Sequence, residues 1–78
     1  MPTVLLINGY RFYFYLNEHE PIHIHVSKSG KEARIVLVPT LDVTYCRGFK
    51  KNELRDIINI ILERYDTLIN AWRETFGK

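Results

Sequence analysis

Two rhythms of apolar and polar positions run along the chain, and they change at Gly48. Before it the pattern is that of strands. Thr3 to Ile7 is a short apolar run, followed by Asn8-Gly9. Both of those residues tolerate the positive φ of a type I′ turn, so Asn-Gly between apolar segments predicts a hairpin. Tyr10 to Tyr15 is the returning strand, with Phe12 and Phe14 on one face and Arg11, Tyr13 and Tyr15 on the other. Asn17 to Pro21 reads as a polar loop closed by proline. Ile22 to Lys28 follows as a third strand, turned at Ser29-Gly30 into a fourth, Lys31 to Val38, which Pro39 ends. Asp42 to Arg47 is a shorter fifth strand.

After Gly48 the period becomes helical. Leu54, Ile57, Ile58, Ile61, Leu62, Tyr65, Leu68, Ile69, Trp72 and Phe76 recur at spacings of three and four and make one apolar stripe. A single helix from Asn52 to Phe76 would span roughly 37 Å at ~1.5 Å per residue. That is long for so short a chain, so a break is expected near residues 63–66, although no Gly or Pro marks it. The expected architecture is α+β. An antiparallel sheet of four to five strands over residues 3–47 is covered on one face by C-terminal helix, about 51–76. The covered face should carry Phe12, Phe14, Ile22, Ile24, Val26, Ile35 and Leu37. The other face collects Arg11, Tyr13, Tyr15, His23, His25, Arg34 and Val36, which is unlike a merely solvated surface.

Length sharpens this picture. With 78 residues there is room for a single domain, 1–78, and for only a thin core. The lone Cys46 excludes an internal disulfide. Association, a metal or good packing must then supply stability. The opening MPTVLLINGYR has neither a basic leader region nor a small-residue cleavage site, and no apolar run approaches a membrane span, so a cytoplasmic location without membrane contact is expected. A net charge of +2 permits nucleic-acid binding without demanding it.

His23-x-His25 is the sharpest chemical feature. Residues i and i+2 of a strand share a face, so both imidazoles should project outward together. Such a pair can divide acid and base work, with Arg34 supplying a cation beside it, and these three are the candidate catalytic residues. The same pair can ligate zinc with His19 as a third donor. The bland alternative is a pair of polar or interfacial histidines, and the spacing alone leaves the three readings open. Tyr13 and Tyr15, with Arg11, can stack on RNA bases or anchor a protein interface. Lys50, Lys51 and Arg55 at the helix start can hold a phosphate or an acidic partner, against the alternative of a solvated turn. Cys46 reads as structural.

The segments MPTVLLINGYRFYFYLNEHEPIHIHV, TYCRGF, ELRDII and AWRETFG together resemble the small bacterial family called domain of unknown function 4160. The resemblance covers nearly the whole chain, and NEHEPIHIHV is its most specific part. It implies a stand-alone cytoplasmic protein encoded beside a second small protein in arrangements that look like toxin–antitoxin pairs. It therefore implies a protein partner encoded nearby. Family members often have Ser where this chain has Lys50, so only the acidic half of a capping box, Glu53, is kept here. Three expectations follow: a module that meets a protein partner or a second copy through the His/Tyr/Arg face, a metal-independent nuclease acting on RNA, and a small zinc-binding domain.

Overall fold

The computed structural model describes residues 3–15 and 21–77. Five strands form one antiparallel sheet in simple sequential order: β1 (Thr3–Ile7), β2 (Tyr10–Tyr13), β3 (His23–Lys28), β4 (Lys31–Val36) and β5 (Asp42–Arg47). Two helices follow, α1 (Lys51–Glu63) and α2 (Tyr65–Phe76). The α+β architecture expected from the sequence is therefore present. The loop expected at 17–21 lies outside the described residues except for Pro21.

The hairpins form where the turn chemistry placed them. Asn8 and Gly9 have φ of 55° and 82°, and Ser29 and Gly30 have 51° and 81°. Two consecutive positive φ values are the signature of a type I′ turn, whose twist matches that of the flanking strands. Register then follows from the turns. Phe12 lies opposite Val26, which lies opposite Ala33, and Ile24 lies opposite Ile35. Phe12, Phe14, Ile24, Val26, Ile35 and Leu37 are buried and meet Ile57, Ile61, Leu68 and Trp72 of the helices. Phe14 packs edge-on against Trp72 with ring centroids 5.2 Å apart. Tyr10 joins this core from the same face of β2.

Lys50 is the N-cap of α1. Its backbone N–H donates to Glu53 Oε1 at 2.9 Å, which is the acidic half of the capping box. The other carboxylate oxygen accepts from Lys31 Nζ at 2.7 Å, tying the helix start to β4. This charge-assisted hydrogen bond, together with the Lys50 backbone N–H, holds the Glu53 carboxyl below its usual range. At the other end of α1 the helix breaks at Arg64, with φ −114° and ψ 23°. An unbroken helix of roughly 37 Å would overhang a molecule whose longest dimension is 33 Å. The break instead lets both apolar stripes follow the sheet. Tyr65, just past it, donates its hydroxyl to the Leu37 carbonyl at 2.5 Å.

Candidate functional site

The face of the sheet turned away from the helices is ordered in cross-strand rows. Pairing sets Tyr13 opposite His25, His25 opposite Arg34, and Arg34 opposite Tyr45. Directly opposed residues on one face are the closest side-chain neighbours a sheet offers, so β2 to β5 together present one continuous row. A second row runs Leu6, Arg11, Ser27, Glu32 and Arg47.

Within the first row the rings pack closely. Tyr13 stacks on His25 with centroids 5.5 Å apart and 23° between planes. Tyr15 meets the same imidazole edge-on at 4.7 Å. The Arg11 guanidinium lies over Tyr13, 4.4 Å from the ring centre, and its Nε donates to Thr3 Oγ1 at 2.8 Å. Tyr13 is consequently buried although it belongs to the outer face. Desolvation, reinforced by a hydrogen bond and charge interaction with Tyr15, pushes its hydroxyl up to about 12. Arg34 is held by Thr44, whose Oγ1 accepts from Nη1 at 2.8 Å.

The histidine pair departs from expectation in one respect. The two rings are neighbours, 5.2 Å apart and nearly perpendicular. His25 is half-buried, but His23 is only 1% exposed. The sequence predicts two outward imidazoles, and the structure places one of them inside. The cause is Trp72. Helix α2 reaches over the end of β3 and sets its indole 5.2 Å from the His23 ring. His23 Nδ1 lies 2.7 Å from the Pro21 carbonyl oxygen, which can only accept, so Nδ1 carries a proton. A stack thus runs from Arg11 on the surface through Tyr13, His25 and His23 to Trp72 in the core.

The remaining sequence candidates are scattered. Lys50, Lys51 and Arg55 are exposed at the start of α1, in the layer that covers the opposite face of the sheet, so they do not join the His/Tyr/Arg row. His19, the third histidine of the zinc reading, lies outside the described residues. Among the described residues no cluster of three His, Cys, Asp or Glu side chains could hold a metal ion. Among the members of the face that sequence reasoning did not single out are two large exposed side chains. Tyr45 and Leu6 are 48% and 71% exposed. Tyr45 could have been found by extending the register from Arg34 into the fifth strand, but the bulge that brings Thr44 beside it leaves no sequence mark.

Against known proteins, the family model "Domain of unknown function (DUF4160)" matches residues 9–73. The chain belongs to this family. The matched span runs from the first hairpin through Trp72 and Arg73, so in this chain the match covers both the Tyr13–Tyr45 row of the outer face and the indole beneath it. No curated protein and no solved structure matches the chain. Among the described residues no helix is long and apolar enough to cross a membrane.

Proposed function

We propose that this DUF4160 chain is an interaction module that docks a protein partner on the outer face of its sheet. The observation that carries the reading is the row Tyr13, His25, Arg34 and Tyr45, with Leu6 and Arg11 beside it. Tyrosine and arginine are the residues most favoured at the centres of protein interfaces, and lysine is depleted there. The described lysines obey this division. Lys28 and Lys31 turn to the helix side of the sheet, over Tyr10 and toward Glu53, and Lys50 and Lys51 begin α1. Charge separates a protein partner from RNA. The strand residues of the outer face set Arg11, Arg34 and Arg47 against Glu32 and Asp42, and such a balance gives little counterion-release affinity for a phosphate chain. Burial of His23 also weakens a nuclease that needs two accessible imidazoles.

The partner implied by the family's gene arrangement is the small protein encoded beside this one, and a toxin–antitoxin-type pair is the setting in which such docking would act. The test is co-expression of the two, followed by size-exclusion chromatography with absorbance at protein and nucleic-acid wavelengths. A stoichiometric protein complex is expected. Arg11→Glu and Tyr15→Glu, both far from β5, should each weaken it by more than about thirtyfold, the equivalent of a hot-spot loss of ~2 kcal/mol. Co-purifying RNA released by salt, with no second protein, would overturn the reading in favour of RNA binding. An intact complex with both variants would place the interface elsewhere.

A further inference from the structure

Strand β5 is an edge: it pairs with β4 and, among the described residues, with nothing on its other side. All six of its residues are exposed. It lacks the proline and lysine that commonly guard such edges against pairing with another chain. It does carry a bulge, which is another common guard, but here the bulge has a different consequence. Tyr45 pairs with Arg34 and Val43 with Ile35, so Thr44 is the extra residue. Its hydrogen bond from Arg34 keeps it on the outer face beside Tyr45.

A regular six-residue strand cannot pair end to end with its own copy. In that register each residue would meet one of opposite parity, and every side chain would land on the wrong face. The bulge removes the conflict. From Asp42 to Arg47 the side chains now run outer, inner, outer, outer, inner, outer, which reads the same in both directions. Charge has the same symmetry, with an acid at one end and a base at the other. Val43 and Cys46 point to the helix side yet remain exposed.

We propose that two copies of the chain pair β5 against β5, antiparallel about a two-fold axis. Asp42 then faces Arg47 of the second copy, Val43 faces Cys46, and Thr44 faces Tyr45. Arg47 is available for this. Its Nη2 donates to the Gly30 carbonyl at 3.0 Å and lies 3.7 Å from Glu32, but its side chain stays 59% exposed. The two sheets become one of ten strands, five from each copy. Val43 and Cys46 gain apolar cover, and the two outer faces join side by side.

Sedimentation velocity across a concentration series tests this. The wild-type chain should dimerise. Asp42→Arg and Arg47→Asp each set like charges opposite one another twice per dimer, and each should raise the dimer dissociation constant by more than about tenfold. An equimolar mixture of the two single variants should form a heterodimer, and the double variant D42R/R47D should dimerise again. Circular dichroism guards against misfolding of Arg47→Asp, and Asp42→Arg alone suffices should that variant unfold. Register is tested by V43C, whose introduced thiol lies opposite the native Cys46 of the other copy and should give a disulfide-linked dimer on mild oxidation. V43C/C46S should not cross-link. A wild-type chain that stays monomeric, single variants that still self-associate as tightly, or cross-linking of V43C/C46S would overturn the proposal. Arg11→Glu and Tyr15→Glu, which lie away from β5, should leave this dimer intact while they weaken partner docking, so the two interfaces can be told apart.

Discussion

Tyr13 shows how one residue can belong to the surface by parity and to the interior by packing. Strand alternation puts it outward, but Arg11, Tyr15 and His25 close around the ring. Its hydroxyl is pushed up to about 12 from 10.0, chiefly by desolvation. The unfolded chain therefore loses this proton first as pH rises. The stability linked to Tyr13 is fully present below pH 10 and is lost as pH climbs from 10 towards about 12. Tyr13→Phe should flatten this alkaline limb, and ultraviolet titration of the wild type should show one tyrosine ionising late; a limb unchanged in the variant would contradict the assignment. His23 makes the same point at greater cost. His23→Ala empties a buried site against Trp72 and should destabilise by about 2 kcal/mol, in the range of large-to-small core changes. His25→Ala, at a half-buried position, should cost less. Urea unfolding of the pair measures the difference, and equal losses would reject the buried placement. Sequence parity made the shared face of His23 and His25 legible. It could not reveal the burial of His23, because that depends on an indole 49 residues further along the chain.

At the level of elements, the start of α1 rests on a single carboxylate that does two jobs. Glu53 accepts from the Lys50 backbone N–H and from the Lys31 ammonium, and both favour its ionised form. Its folded pKa lies below the unfolded one, so its contribution is present above the ordinary glutamate range and disappears as pH falls through the folded value. Melting temperatures of wild type and Glu53→Gln should therefore differ at neutral pH and converge in acid. Parallel curves across that range would show that the pair with Lys31 does not matter to stability. The first half of this device was legible in the sequence as Glu53 three residues after the cap. Its tie to Lys31 was not, since it depends on a contact between strand and helix. The turns were the most legible elements, because Asn8-Gly9 and Ser29-Gly30 state their backbone conformation locally. The helix break at Arg64 was readable only through length, as a stripe too long for the body it had to cover. The bulge at Thr44 was illegible, because a bulge is a relation between two strands.

The molecule as a whole is a one-sided sandwich whose two sheet faces are bridged at one end. Its radius of gyration is 11.5 Å, about what a compact domain of this length should have. Its stability should then lie at roughly 4–12 kcal/mol, taking ~0.05–0.15 kcal/mol per residue. Trp72 is where the layers lock. Its ring lies 5.2 Å from Phe14 and 4.4 Å from Phe76 on the core side, and 5.2 Å from His23 at the end of the sheet. Trp72→Ala should cost about 3–5 kcal/mol, roughly a quarter or more of the total, and lower the melting temperature steeply. Trp72→Phe keeps an aromatic body in the cavity and should stay folded by circular dichroism. That milder variant isolates the bridge between faces, because His23 stands between Trp72 and His25. If packing transmits through the stack, the imidazole resonances of His25 should shift in Trp72→Phe although the two side chains belong to opposite layers. Affinity for the docked partner should fall with them, while Leu62→Ala, on the exposed side of α1, should change neither. Unmoved His25 resonances in a folded Trp72→Phe protein would mean that the outer face is organised by its own cross-strand row alone, and that the core beneath it serves only to hold the sheet.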